Sequence, residues 1–387
     1  MRVALNLEQL LYSPPGGIGR YAAELARRLP GPDPDDGERT EVVAFVARHR
    51  RTRIADALAR FELDTIDPVS LWLPRPVLYD TWNLLGLPRL SLLHAELRGV
   101  DLVHAPSLAV PPRAGRAPLV VTAHDAAALL FPETYPWRGR WFHRRGLDAA
   151  ARRADLVITP TRAAADELVR LTKIRAERIR VVPHGVNLAQ PDAPAVDAAR
   201  AALGLDGVPY VLWVGTIEPR KNLPLLLDAF AAVVQAGLPH RLVVVGPSGW
   251  RGGARVTADS TLGERLVAIS RRVRGTRLAA LYRGASLLAF PSLHEGFGLP
   301  LLEAMAQETA ILCSDVPVMH EVAGDAAQYV SATDVGAWRD ALVSLLDDDA
   351  TRQALAAAGR RRAGGFTWDR CIDRTRAVYR ELLGRPR

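Results

Sequence analysis

The chain has 387 residues, of which 49% are hydrophobic and 24% charged, an ordinary balance that excludes wholesale disorder, collagen-like repeats and coiled coil. At about 100–200 residues per domain, this is room for two domains with separate cores. The formal net charge is +8, spread along the chain: residues 1–186 carry 27 Lys and Arg against 21 Asp and Glu, and residues 187–387 carry 23 against 21.

Short apolar runs alternate with longer helical patterns, the signature of parallel α/β domains. In the first half, strands are expected at Val3–Leu7, Val42–Val46, Leu102–His104, Leu119–Ala123, Leu156–Thr159 and Ile179–Val182, with a helix around Arg20–Leu29. The segment 31–39 reads as a solvated loop, its Asp cluster as turn chemistry rather than metal binding. Pro68–Pro88, rich in Pro, Trp and Leu, shows no clear period and reads as irregular. A Pro-rich linker, QPDAPAVD (190–197), precedes a second set of strands at Tyr210–Val214, Leu242–Val245, Leu287–Phe290, Ala310–Cys313 and Gln328–Val330. Its helices are expected at Leu223–Ala236, Pro300–Gln307, Val335–Asp347 and Thr351–Arg362, with a further amphipathic helix in 366–384. The fold class is therefore α/β, two Rossmann-like doubly wound domains facing each other across a cleft.

No stretch approaches about 18 uninterrupted apolar residues, and the first residues lack a secretory pattern. Two cysteines, Cys313 and Cys371, make neither a disulfide framework nor a metal cluster. A reduced, cytoplasmic protein is expected. Of 50 basic residues only Lys173 and Lys221 are lysine, a bias that fits a GC-rich coding sequence better than an RNA-binding surface. With no basic–aromatic interleave, nucleic acid is not an expected partner.

Ligands of open parallel sheets sit beyond the carboxyl ends of the strands, so the residues there carry the information. In SLHEGFGLPLLEAMA (292–306), Glu295 lies in a glycine loop and Glu303 in the helix that Pro300 opens. Such a loop lets backbone N–H groups approach an oxygen-rich ligand, and a carboxylate can hold both hydroxyls of a vicinal diol. A loop that needs its glycines for turns, with a Glu stabilising the helix dipole, is the competing structural reading. In WVGTIEPRKNLPLLLDAF (213–230), Gly215 ends a strand and Arg220–Lys221 precede a helix for which Asn222 is the expected N-cap. The adjacent cations suit a diphosphate or simply a solvated basic helix start. Gly17-x-Gly19-x-x-Ala22 matches a dinucleotide fingerprint weakly, about ten residues past the first strand, and NAD chemistry is disfavoured. His124–Asp125 closes the strand VVTA, where a structural and a functional histidine are equally open.

Taken in order, GGIGRY (16–21), HD (124–125), VVPHGV (181–186), GTIEPRKN (215–222), VVVGPSGW (243–250), LYRGASLLAFPS (281–292), EGFGLPLLEAMA (295–306) and the closing FTWDR resemble glycosyltransferase family 4 over nearly the whole chain. The resemblance implies a retaining, metal-independent enzyme of the GT-B fold with a nucleotide sugar as co-substrate and no other cofactor. It implies an acceptor-side domain of residues 1–187 plus 367–387 and a donor domain of 188–366. Glu303 would bind the ribose hydroxyls. Glu295 would hold the donor sugar with the backbone N–H groups of Phe297, Gly298 and Leu299. Arg220 and Lys221, beside Gly215, would neutralise the diphosphate, which Gly17 would approach from the first domain. His124 would stand across the cleft, near the transferred sugar. Two stretches depart from the family pattern: ISRRVRGTR (269–277), which leaves base preference open, and GWRGG (249–253).

The resemblance is greatest to bacterial mannosyltransferase-like members, which makes GDP-mannose the first choice of donor and a UDP- or dTDP-sugar the alternative. A glycan or lipid-linked acceptor is expected on the first domain. YPWRGRWFHRR (135–145) reads either as a peripheral contact with anionic lipid at the inner face of the membrane or as an Arg-rich exposed helix. A nucleotide-sugar 2-epimerase on the same fold and a non-enzymatic basic binding protein are the competing functions.

Overall fold

The structure, a computed structural model, describes residues 1–12, 16–33, 37–187, 189–249, 262–270, 273 and 275–384. It divides into two compact units, one of Met1–Pro132, Trp137–Gly185 and Trp368–Arg387, the other of Glu133–Pro136 and Val186–Thr367.

The first unit is built on β1 (Arg2–Asn6), β2 (Gly31–Pro32), β3 (Arg39–Arg48), β4 (Val69–Pro74), β5 (Leu102–Ala105), β6 (Leu119–Thr122), β7 (Leu156–Thr159) and β8 (Ile179–Val181). They lie in the order β2-β3-β1-β5-β6-β7-β8, with β4 also paired to β3, and only the short β2 runs antiparallel. Period-2 alternation divides the strand side chains between two cores. Ala4, Val103, Val121 and Val157 enter one, and Val3, Leu5, Leu102, Val120 and Ile158 the other. The second core takes Tyr21 and Leu25 from α1 (Gly16–Arg28), Ile54 and Leu58 from α2 (Arg51–Ala59), and Trp368, Ile372 and Tyr379 from the C-terminal helix Trp368–Leu383.

Three expectations are corrected here. The helix expected around Arg20–Leu29 begins earlier, and GGIGRY is the opening of α1: Gly16 takes the left-handed φ of +61°, and Gly17 is already in the first turn. The supposedly irregular Pro68–Pro88 contains β4 and α3 (Arg75–Leu85), which ends on left-handed Gly86. That helix shows no period because it is apolar on both faces: Leu78, Tyr79 and Trp82 are buried while Val77, Leu84 and Leu85 are exposed. The linker 190–197 turns into a helix at Ala193, capped by Asp192, whose carboxylate accepts the Ala195 N–H. The segment 135–145 lies largely in the helix Trp137–Arg153. No helix among the described residues is long and apolar enough to cross a membrane.

The second unit holds β9 (Tyr210–Val214), β10 (Arg241–Val245), β11 (Leu266–Ile269), β12 (Leu287–Phe290), β13 (Ile311–Ser314) and β14 (Gln328–Val330). Their order is β11-β10-β9-β12-β13-β14, all parallel. The strand β11 has no counterpart among the sequence expectations. The chain winds outward from β9 through β10 to β11 and returns to the other side of β9 with β12. The direction of winding thus switches between β9 and β12, and the loops leaving their carboxyl ends emerge side by side. Of the two atypical stretches, Arg271, Arg272 and Arg274 lie outside the described residues, as do all of 250–253.

Two glycines fasten the loop after β9 to the loop after β10. Gly246, at φ +153°, lies so close that a Cβ there would stand 1.7 Å from the Gly215 carbonyl oxygen. A Cβ on Gly249 would meet Thr216 Cγ2 at 2.8 Å, and the Gly249 N–H donates to the Ile217 carbonyl at 3.0 Å. Gly246→Ala is expected to cost about 2 kcal/mol or more in urea denaturation. A variant as stable as the parent protein would show that this approach is not needed.

Candidate functional site

Arg220 and Lys221 lie in the single turn Pro219–Lys221 after β9, and Glu295 in the loop after β12. They are 74–75 residues apart in sequence, and the pairing of β9 with β12 brings them together. The Arg220 carbonyl accepts the Leu293 N–H at 2.9 Å, and the Arg220 guanidinium donates to the His294 carbonyl at 2.6 Å. Arg220 thereby ties the two loops together through both its carbonyl and its guanidinium.

Glu295 is buried between the cations. Its Oε1 receives the Lys221 ammonium in a short ion pair, and its Oε2 stands 3.3 Å from Arg220 Nη1. Arg220 Nη2 reaches back 2.7 Å to Glu218, so two cations and two carboxylates alternate along one chain of contacts. Burial drives the Glu295 carboxyl up, but Lys221 and Arg220 outweigh it and hold it down at about 2. Burial also pushes Lys221 below its ordinary value. Glu295 resists that shift, and Arg220 adds to it. The Lys221 ammonium lies over the Phe290 ring, 5.2 Å from its centroid, a second device that favours the charged form. A charge so confined is relieved by an arriving anion.

The helix α4 (Leu299–Ala306) begins at Gly298, whose φ of +90° is the left-handed region that glycine adopts without strain. Among the described residues, the Gly298 and Leu299 N–H groups donate to no protein acceptor. They are two of the orphan donors a helix start presents to a ligand. Phe297 precedes them and is buried. Glu303 sits in the second turn of the helix, half-buried, and accepts a 2.9 Å hydrogen bond from the Tyr282 hydroxyl. Gly215 lies against Lys221, so that a Cβ there would come within 3.8 Å of Lys221 Cδ. Asn222 holds the N-cap position but does not cap. At φ +52° its side chain turns away and donates to the Ala332 carbonyl at 2.8 Å. No group of three or more His, Cys, Asp or Glu among the described residues is placed to hold a metal ion.

His124 and Gly17 belong to the first unit. His124 Nε2 is 3.0 Å from the Pro106 carbonyl, which can only accept, so Nε2 carries the proton. Its Nδ1 faces His184 Nε2 at 3.2 Å. In the neutral ring Nδ1 is then the acceptor and His184 the donor. Burial pushes both imidazoles down, which favours the neutral forms. His184 stands within the VVPHGV stretch without being singled out as a site residue, and Glu218 within GTIEPRKN likewise. Only the acid–base alternation E-P-R-K marked Glu218, and nothing in the local pattern marked His184 as a partner of His124.

Residues 15–190 match the model described as Glycosyltransferase Family 4, and residues 196–362 that of Glycosyl transferases group 1. The chain is 33% identical over 286 residues to a D-inositol 3-phosphate glycosyltransferase of Xylanimonas cellulosilytica, an alignment covering 69% of this chain and 67% of that one. The chain belongs to glycosyltransferase family 4. It is also 28% identical over 408 aligned positions to the O-antigen chain mannosyltransferase B of Escherichia coli, covering 99% of this glycosyltransferase and 100% of the relative. Among solved structures, Anabaena HepE in complex with UDP and glucose superposes with a TM-score of 0.74 at 18% identity, covering 99% of both chains. The fold is GT-B.

Two outcomes are expected of this glycosyltransferase. Glu295→Gln leaves Lys221 buried without its carboxylate and should cost about 3–5 kcal/mol near neutral pH. Because the folded carboxyl is held at about 2 against an ordinary 4.5, the pair stabilises fully above 4.5 and progressively less as pH falls toward 2. The stability gap between parent and variant in denaturation curves should therefore narrow with acidification; a gap independent of pH would contradict the assignment. For His124, long-range nitrogen–proton NMR correlations at neutral pH should show the Nε2–H tautomer, and an Nδ1–H ring would refute the bond to Pro106.

Proposed function

We propose that this glycosyltransferase moves a hexose from a nucleoside-diphosphate sugar to a hydroxyl of a glycan or lipid-linked acceptor, with retention of configuration and without a metal ion. The observation that carries the proposal is the meeting of Arg220, Lys221 and Glu295 at the switch between β9 and β12, with Glu295 three residues before Gly298, whose N–H donates to no acceptor among the described residues. Mannose from GDP-mannose is the first choice of donor, supported by the full-length similarity to the O-antigen mannosyltransferase of Escherichia coli. A UDP- or dTDP-sugar is the alternative, the former favoured by the UDP and glucose bound to HepE.

As the glycosidic bond to the diphosphate breaks, negative charge grows on the leaving oxygen. Lys221 and Arg220 oppose that charge, and cations fixed before the reaction stabilise its transition state without reorganising. Glu295, ionised throughout the neutral range, accepts hydrogen bonds from the sugar hydroxyls while keeping the two cations in place. The N–H groups of Phe297, Gly298 and Leu299 face the sugar, and Glu303, oriented by Tyr282, takes the ribose diol. Gly215 leaves room beside Lys221. The family resemblance assigns Gly17 to the diphosphate and neutral His124 to the transferred sugar. Retention follows from attack on the face the diphosphate leaves. The acceptor oxygen bonds to the anomeric carbon as the phosphate oxygen departs, and the departing oxygen takes the acceptor proton.

A thermal-shift panel of GDP, UDP, dTDP and their common sugars tests the donor. A ligand at about 100 times its Kd stabilises the fold by about 2.7 kcal/mol. One nucleotide class, GDP first, should raise the melting temperature, and Lys221→Ala should remove the shift. Shifts that survive Lys221→Ala, or none with any nucleotide, would overturn the site.

A further inference from the structure

Seven of the eight large hydrophobic side chains exposed among the described residues lie in the first unit at Trp72–Leu92 or at Trp137. That concentration departs from the scatter of single apolar residues on an ordinary surface. It is not a loosely held segment. Trp82, on the buried face of α3, donates its indole N–H to the Pro88 carbonyl at 3.1 Å, and Leu90, Leu93 and Leu97 are buried. Arg98 Nε donates to the Ser91 carbonyl at 3.1 Å and ties the far end of the segment. On this fixed backbone Val77, Leu84, Leu85, Leu87 and Leu92 stand outward, Leu85 71% and Leu92 68% exposed. The helix Trp137–Arg153 lies alongside, its Arg138 3.8 Å from Asp80 and its Phe142 ring 6.4 Å from that of Tyr79. It adds Trp137, 68% exposed, and the exposed Arg138, Arg140, Arg144 and Arg145.

Charge singles out the occupant. Residues 75–98 and 137–145 together hold seven arginines against two acids, Asp80 and Glu96, so five of the chain's net eight positive charges fall there. A second copy docked face to face would set like charge against like. An anionic bilayer meets both demands, since leucines and a tryptophan enter the headgroup boundary while arginines remain at the phosphates.

We propose that the ridge of α3, the turn at Leu87 and the residues to Leu92, flanked by the start of the helix Trp137–Arg153, docks this enzyme on an anionic phospholipid surface. The inference rests on the lipid-linked acceptor proposed above and places the first unit at the membrane where such an acceptor is presented.

The test is co-sedimentation of the full chain with vesicles of equal parts phosphatidylglycerol and phosphatidylcholine, against pure phosphatidylcholine, at low salt and without nucleotide. Binding is expected only to the anionic vesicles and should weaken as salt rises. Replacing Leu84, Leu85 and Leu87 by Ser should reduce the vesicle affinity about tenfold or more. Changing Arg138, Arg144 and Arg145 to Gln removes three charges and should reduce it roughly a hundredfold. Val169→Ser, an exposed apolar position outside the ridge, should leave it unchanged. Equal binding to neutral vesicles, no binding to either, or ridge variants that sediment like the parent would overturn the proposal. So would a concentration-dependent dimer, seen by analytical ultracentrifugation, that the leucine variant abolishes while vesicle binding persists. All variants should keep the parent's nucleotide-induced thermal shift. A shift missing from parent and variants alike would count against the donor site and leave the vesicle result standing.

Discussion

The arrangement of the second unit depends on one buried ion network, Glu295 held between Lys221 and Arg220, with Glu218 closing the far end. Buried ion pairs are poor sources of net stability, because removing two charges from water costs about what their attraction returns. This one holds Lys221 charged against a burial that pushes it toward neutrality, and is set in a glycine-bounded loop. A packed core needs none of these features. They are what a site needs if it must hold cations in place for an arriving anion.

The network exists because of strand order. The residues after β9 and those after β12 are far apart in sequence and become neighbours where the winding reverses. Gly246 lets the loop after β10 lie directly on Gly215, which fixes the start of the cation-bearing loop. Gly298 sets the turn that opens the helix carrying Glu303. The glycines and the charges are therefore one device, in which close backbone approach decides where the side chains point. In the first unit the same principle takes another form. The Pro106 carbonyl and His184 hold the His124 ring from two sides and define its tautomer.

Much of this was legible before any coordinates. Strands buried on both faces appear as short apolar runs, and for that reason Leu119–Thr122, Leu156–Thr159, Tyr210–Val214 and Leu287–Phe290 stood out. The residues proposed for the chemistry, Arg220, Lys221, Glu295 and Glu303, follow the last two of these strands. Contacts that arise only in three dimensions did not show. Neither the pairing of Lys221 with Glu295 nor that of His184 with His124 has a local pattern. The capping role expected of Asn222 failed because its backbone is left-handed at φ +52° and its side chain turns away to donate to the carbonyl of Ala332 in a distant loop. The segment containing α3 was unreadable for a different reason. A helix apolar on both faces has no period, and the face that hid the helix is the one left exposed on the first unit.

A crystal structure of the enzyme with a bound nucleoside diphosphate sugar tests the central claim most directly. The account places oxygens of the diphosphate within about 3 Å of Lys221 Nζ and the Arg220 guanidinium. It places the ribose hydroxyls on Glu303, with Glu295 turned to the sugar. A diphosphate bound elsewhere, with none of its oxygens on Lys221 or Arg220, would contradict it.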